Sequence, residues 1–143
     1  MSRILAATSH SEAETLALAN KLAMSFVTGD LLVLTGPLGA GKTVFVRGLV
    51  QGRGLTESMV SSPSFGMVNE YPGELPLYHF DLYRIKSPSE LYEIGWDDYL
   101  LRDGVVVVEW GEKAGGLLPS RYYRIDFSIL NETDREIKIE LVQ

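Results

Sequence analysis

The chain has 143 residues, of which 45% are hydrophobic and 22% are charged, a balance typical of one globular domain spanning residues 1–143. Its formal net charge of −6 disfavours direct nucleic-acid binding, which requires many Lys and Arg side chains to neutralise phosphates. The absence of cysteine excludes disulfides and thiolate metal sites. No apolar run approaches the roughly 18 residues of a membrane span, and the polar N-terminal segment is unlike a signal peptide, so we expect a cytoplasmic protein.

The first third of the chain alternates between predicted strands and helices. Residues 3–7 form a short strand pattern, and residues 11–26 carry apolar residues at helical spacing. Residues 31–35, LLVLT, lack polar alternation, as expected of a strand buried on both faces of a sheet. Residues 42–53 continue as a second helix.

The remainder is predicted to be mostly strand. The expected elements are a hairpin of residues 65–71 and 75–84, a short helix within 87–95 that Gly95 ends, a buried strand over 105–110, and a final antiparallel hairpin of residues 122–129 and 135–142. Alternating strands and helices followed by antiparallel strands predict an α/β fold.

Residues 36–43 read GPLGAGKT and match the phosphate-binding pattern G-x-x-x-x-G-K-[ST]. The glycines let successive backbone N–H groups point at phosphate oxygens, and the following helix adds its dipole. Lys42 supplies a cation for the β- and γ-phosphates, and Thr43 offers its hydroxyl to Mg²⁺. The predicted nucleotide-binding residues are Gly36, Leu38, Gly39, Ala40, Gly41, Lys42 and Thr43. The fold prediction is thus a P-loop NTPase core with a mixed, mostly parallel central sheet extended by antiparallel strands.

A hydrolase with such a loop also needs carboxylates that hold Mg²⁺ and align water. Glu109 ends the apolar run VVVVE, where a strand beside the loop would place an acid. Asp81, in HFDLYR, is predicted to share a strand face with His79 and Tyr83. Each residue also has a structural alternative. Glu109 could be an ordinary acid at the end of a strand, Asp81 could lie on a solvated strand face, and His79 could be an ordinary hydrogen-bonded histidine of the sheet. The predicted catalytic residues are Lys42, Asp81 and Glu109, and the predicted metal ligands are Thr43, Asp81 and Glu109.

The segment VSSPSF between the loop helix and the first hairpin offers several hydroxyls. Pro63 restricts Ser62 to an extended conformation and stiffens a loop that also carries Ser64. Such a loop could order around a γ-phosphate and act as a switch. An ordinary Ser-Pro turn is an equally open interpretation.

Taken in order, these motifs resemble the bacterial TsaE family, the P-loop ATPases of tRNA threonylcarbamoyladenosine biosynthesis. The similarity covers GPLGAGKT, SPSF, YHFDLYR, ELYEIGWDDYL and VVEWGEKAGGLLP. It implies an ATPase that uses ATP and Mg²⁺, works with the TsaB and TsaD proteins, and reaches tRNA only through them, with no membrane or DNA partner.

The resemblance also implies roles for single residues. Lys42 and Thr43 would serve phosphate and magnesium, Asp81 and Glu109 would form the acidic pair, and Trp110 would be the aromatic neighbour needed for activity. Two positions depart from the family pattern, since Ser64 replaces the usual Thr and Pro37 stands where Asp is frequent.

Other classes of protein share such a loop. A small-molecule P-loop kinase is the main alternative, but it needs an acceptor pocket and usually an arginine-bearing lid, and the arginines here do not cluster. A GTPase needs Asn-Lys-x-Asp to read guanine, whereas Asn20-Lys21 is followed by Leu-Ala within a predicted helix. A nucleotide-dependent binding module, whose hydrolysis only resets an interaction, is compatible with the same residues.

Overall fold

Seven strands form one mixed sheet in the computed structural model, which describes residues 2–56 and 67–143. The strands are β1 (Ser2–Ser9), β2 (Leu31–Thr35), β3 (Val68–Tyr71), β4 (Leu77–Asp81), β5 (Val105–Glu109), β6 (Tyr122–Ile129) and β7 (Arg135–Val142). Their order across the sheet is β1-β7-β6-β2-β5-β4-β3. The four central strands, β6, β2, β5 and β4, are parallel, and the pairs β1–β7, β6–β7 and β3–β4 are antiparallel. The predicted α/β fold is confirmed, with parallel pairing confined to the centre of the sheet.

Helices cover both faces of this sheet. They are α1 (Glu12–Leu22), α2 (Lys42–Gly52), α3 (Ser89–Glu93) and α4 (Trp96–Leu101). Successive strand residues point to opposite faces, so β2 contributes to two cores. Leu32 and Leu34 pack with α1 and α2, whereas Leu31 and Val33 pack with α3 and α4. None of the helices in the described part of the chain is long and apolar enough to span a membrane.

The first helix is shorter than predicted. α1 ends at Leu22, and the chain continues as a 3-10 turn over Ala23–Ser25 instead of a helix to residue 26. The physical reason lies in a distant side chain, because Nη1 of Arg53 donates to the carbonyls of Ala23 and Phe26 at 3.1 and 3.0 Å. These contacts satisfy carbonyl groups at the helix end.

Both predicted hairpins are present, but the second strand of the first hairpin spans Leu77–Asp81 instead of 75–84, and residues 65 and 66 of its first strand lie outside the described residues. β3 and β4 pair with Asn69 opposite His79, and β6 and β7 coincide with the predicted ranges 122–129 and 135–142. Gly95, with φ 85°, ends α3 as predicted, and α4 begins directly after it. β5 ends one residue earlier than predicted, so that Trp110 lies outside the strand.

Gly48 permits a close approach of α1 to α2. A Cβ atom at this position would lie 2.5 Å from the Cβ of Ala19 and 2.7 Å from the carbonyl oxygen of Leu16. Because the backbone oxygen of Leu16 cannot move aside as a flexible side chain can, the helices must separate to admit a methyl group.

We predict that Gly48→Ala lowers the free energy of unfolding by about 1–3 kcal/mol through overpacking. This loss of stability is opposite to the change expected from helix propensity, because alanine is favoured over glycine by about 1 kcal/mol in an exposed helix interior. Urea unfolding followed by circular dichroism measures the change. Gly116→Ala is the matched control, because no atom of the described residues lies within 4 Å of its added Cβ. An unfolding midpoint for Gly48→Ala at or above that of the unsubstituted protein would contradict this packing.

Candidate nucleotide site

The predicted phosphate loop connects β2 to α2 at the carboxyl end of the parallel strands. Gly36 has a φ of 141°, and a Cβ there would lie 2.6 Å from the carbonyl oxygen of Phe127. Gly41, with φ 100°, is the residue from which α2 starts. Backbone conformation and close packing therefore explain why glycine occupies both positions. Lys42 and Thr43 lie in the first turn of α2, where unpaired backbone N–H groups favour anions.

Lys42 is buried, with 4% of its surface exposed. Its Nζ atom donates to the carbonyl oxygen of Gly36 at 2.6 Å and lies 3.5 Å from the ring centroid of Trp110. Burial lowers the pKa of Lys42, and the nearby Glu109 carboxylate opposes part of that effect. The ammonium group thus lies over the phosphate loop, in reach of any anion bound there.

Glu109 lies at the end of β5, which is parallel to β2 and pairs Glu109 with Leu34. Its carboxylate is buried, and Oε1 accepts a hydrogen bond from Oγ1 of Thr43 at 3.1 Å. The other oxygen, Oε2, lies 2.6 Å from Nε2 of His79. The structure therefore brings Thr43 and Glu109 into direct contact, and His79 contacts the same carboxylate.

Asp81 ends β4 directly opposite Glu109 in the parallel register. Its Oδ1 atom accepts from the backbone N–H of Tyr83 at 3.0 Å. The prediction that Tyr83 shares a strand face with Asp81 is wrong, because β4 ends at Asp81. Tyr83 instead reaches the site from the following turn, with its ring centroid 5.0 Å from that of Trp110.

A cavity of about 250 Å³ brings these groups together, and its lining includes Lys42, Thr43, Asp81, Glu109 and Trp110. The hydroxyl of Thr43 and the two carboxylates offer hard oxygen donors, which is the donor set that Mg²⁺ prefers. Mg²⁺ is commonly bound through one or two carboxylates together with substrate phosphates. The residues present therefore fit this ion together with a phosphate ligand.

A second cavity, of about 320 Å³, shares Glu12, Gly39, Gly41 and Val44 with the first. It lies between the start of α1 and the β6–β7 turn, and its lining includes His10, Ser11, Thr15, Thr133 and Arg135. Nη2 of Arg135 donates to the carbonyl oxygen of Gly39 at 3.3 Å. Sequence reasoning missed this region, because no motif connects Arg135 to the phosphate loop and only the sheet order brings them together.

Trp110 and the predicted switch residues have different outcomes. Trp110 lies beside Lys42 as described, in a left-handed conformation with φ 62° that is uncommon for a bulky residue. The predicted switch residues Ser62, Pro63 and Ser64 lie outside the described residues, so their role stays a prediction.

A glycine-rich loop between a parallel strand and a helix, with an acid on the adjacent parallel strand, defines a nucleotide-binding protein of the P-loop class. Residues 9–137 match the family described as "Threonylcarbamoyl adenosine biosynthesis protein TsaE", and the chain belongs to this family. Family membership indicates a place in threonylcarbamoyladenosine biosynthesis.

Individual relatives agree with this assignment. The tRNA threonylcarbamoyladenosine biosynthesis protein TsaE of Bacillus subtilis is 41% identical over 130 residues, covering 90% of this chain and 80% of the relative. The protein of the same name from Treponema pallidum is 40% identical over 111 residues, covering 78% of this chain and 82% of the relative. The crystal structure of Bacillus subtilis YdiB superposes with a TM-score of 0.81 at 34% identity, covering 99% of this chain and 87% of that one.

We predict that Lys42→Met weakens ATP binding about 10- to 100-fold, because a charge-assisted hydrogen bond contributes about 1.5–3 kcal/mol. Thermal stability should change little, because loss of the hydrogen bond to the Gly36 carbonyl opposes the relief of the burial that lowers the pKa of Lys42. Calorimetric titration and thermal unfolding measure the two effects. Lys138→Met, a half-exposed lysine on β7, is the control and should change neither. Undiminished ATP affinity in Lys42→Met would contradict the assignment of the loop.

Proposed function

We propose that the chain is a Mg²⁺-dependent ATPase whose nucleotide cycle acts on the TsaB–TsaD pair during tRNA threonylcarbamoyladenosine biosynthesis. One observation carries the enzymatic part of this proposal, namely the contact of 3.1 Å between the Thr43 hydroxyl and the Glu109 carboxylate. That contact joins the first turn after the phosphate loop to the acid of the adjacent parallel strand. The two groups lie in one cavity with Lys42 and Asp81, and these side chains offer the cation and the acids that position phosphate, Mg²⁺ and water in phosphoryl transfer.

The chain's own residues bind the triphosphate in this proposal. Backbone N–H groups of the loop and the start of α2 hold the β-phosphate, and Lys42 exchanges the Gly36 carbonyl for phosphate oxygens. Thr43, Glu109 and Asp81 would hold Mg²⁺, directly or through water. When bound, Mg²⁺ screens the negative charge of the phosphate oxygens.

The carboxylates then direct water to the γ-phosphorus. The water oxygen forms a bond to phosphorus while the bond from phosphorus to the bridging oxygen of ADP breaks, and the products are ADP and inorganic phosphate. Asp81 or Glu109 orients the water and accepts its proton, which passes to phosphate. Because both acids end neighbouring parallel strands in register, they face the same side of the phosphate loop.

The second cavity is the proposed place of the nucleoside. It continues directly from the phosphate loop through Gly39 and Gly41, so a nucleotide with its phosphates at Lys42 extends into it. Its lining carries hydroxyl, imidazole and guanidinium groups, together with two carboxylates, from Thr15, Thr133, His10, Arg135, Glu12 and Glu132. Such groups provide hydrogen bonds to a ribose and a purine.

The partner proposal follows from charge and from the surface of α4. A formal net charge of −6 leaves little capacity to neutralise tRNA phosphates, so contact with tRNA is proposed to occur through partner proteins. In the segment WDDY, Trp96 and Tyr99 are buried, whereas Asp97 and Asp98 are exposed. Asp98 is paired with Arg102 at 2.9 Å, so the exposed Asp97 is the acid proposed to meet basic groups on a protein partner.

We predict that Glu109→Gln and Asp81→Asn each lower ATP turnover about 10²-fold or more, a typical loss for one electrostatic or general-base contribution. ATP affinity should change less than it does in Lys42→Met, because the phosphate loop is intact. Phosphate release in the presence of the partner proteins measures turnover. Glu140→Gln, which replaces a partly buried carboxylate on β7, is the control. A normal rate in either site variant would show that the replaced acid is structural.

We predict further that the isolated chain hydrolyses ATP slowly, that TsaB and TsaD together stimulate it, and that it binds tRNA weakly at physiological salt. Repeated rounds of tRNA modification should stop with Lys42→Met. The assay omits each component in turn and records phosphate release and modified tRNA, with filter binding for tRNA affinity. Tight tRNA binding by the chain alone, or undiminished multiple-turnover modification with Lys42→Met, would overturn the proposal.

A further inference from the structure

His79 is a buried polar residue of β4 that lies beneath the carboxylates of the proposed site. It faces the same side of the sheet as Asp81, and in the parallel register it lies opposite Val107 of β5. On this face Leu77 and Val107 belong to the core under α2, and Asn69 of β3 lies opposite His79. A buried polar group in such a layer is costly unless it is hydrogen-bonded. The partner of His79 is Glu109, with 2.6 Å between Nε2 and Oε2.

The chemistry of the pair determines which atom donates. A carboxylate that is ionised only accepts hydrogen bonds, so with Glu109 in that form the contact assigns the proton to Nε2 of His79. The second oxygen, Oε1, accepts from the hydroxyl of Thr43 at 3.1 Å, and the same hydroxyl lies farther, at 3.4 Å, from Oε2. The terminal torsion of a glutamate is otherwise broad and roughly two-fold. Two donors, one from the sheet and one from α2, therefore determine the plane of this carboxylate.

We propose that His79 is a positioning residue for Glu109, holding Oε2 through its Nε2–H so that Oε1 stays directed at Thr43 and the phosphate loop. This inference rests on the proposed function of the site. The hydroxyl oxygen of Thr43 is there offered to Mg²⁺, so Thr43 serves both the ion and the carboxylate. His79, by contrast, lies below the carboxylate as a buried residue and contacts it through Nε2.

Three variants separate this role from a merely structural one. His79→Leu removes the donor but fills the space, and His79→Gln keeps an N–H group at a similar reach. Ile137→Ala is the matched control for lost stability, because Ile137 lies in the same core on β7, which β6 and β2 separate from β5. The measurements are ATP turnover with the partner proteins, ADP affinity with and without Mg²⁺, and thermal unfolding.

For His79→Leu we expect turnover and the Mg²⁺-dependent gain in ADP affinity each to fall about 10- to 100-fold, the usual effect of removing a residue that orients a metal ligand. ADP affinity in excess chelator should be unchanged, because the phosphate loop is intact. His79→Gln should retain most of the ATP turnover and most of the Mg²⁺-dependent gain in ADP affinity. Ile137→Ala should retain both while its unfolding temperature falls. Wild-type behaviour of His79→Leu, or equal impairment of His79→Leu and His79→Gln, would overturn the inference.

Nitrogen-15 NMR of the unsubstituted protein provides a readout that does not depend on ATP turnover. The chain has 2 histidines, so the comparison with His79→Gln assigns the ring signals. We expect the ring of His79 to carry a proton on Nε2, and a ring protonated on Nδ1 alone would overturn the inference. Absence of phosphate release by the unsubstituted protein would instead refute the proposed function. The position of the ring proton and the effect of Mg²⁺ on ADP affinity would still test whether His79 positions Glu109.

Discussion

The parallel pairing of β2 with β5 determines where the charged groups of the site lie. In this pairing Leu34 is opposite Glu109, so the carboxylate emerges at the end of its strand beside the loop that follows β2. α2 begins on that loop, and the hydroxyl of Thr43 meets the carboxylate at 3.1 Å. A slip of one residue would turn Glu109 to the opposite face of the sheet. The apolar side chains that hold the register therefore also build the site.

Buried polar groups in this region satisfy one another. Lys42, Glu109 and His79 are all buried, next to a core made of aliphatic and aromatic side chains. Each has a partner, since Lys42 donates to Gly36 and His79 contacts Glu109. Polar interactions in such surroundings are stronger than in water, and an unpaired group there costs correspondingly more. Because these buried polar groups are hydrogen-bonded, the site is compatible with a stable core. Removing one member of a hydrogen-bonded pair is expected to affect the group that it leaves behind.

Much of the fold and part of the site could be predicted from local sequence. The predicted phosphate loop and the acid of β5 each belong to a short, continuous sequence pattern. The alternation of apolar residues predicted the positions of β6 and β7. The contacts of His79 with Glu109 and of Arg135 with Gly39 could not be predicted, because they depend on which strands are neighbours. Periodicity reports which face of a strand is buried but not which strand lies beside it. The shortened α1 was missed for a related reason, because a side chain remote in sequence binds the carbonyls at its end.

Trp110 shows how local strain is compensated at the site. A bulky residue in the left-handed region costs on the order of 1–3 kcal/mol, and Trp110 adopts φ 62° directly after β5. This conformation turns the chain away from the sheet and leaves the indole ring 3.5 Å from Nζ of Lys42. A cation over an aromatic face and the packed ring of Tyr83 offset part of the strain. A phosphate that binds Lys42 competes with the Gly36 carbonyl and the indole ring, so its affinity reflects the difference between the new contacts and those it replaces.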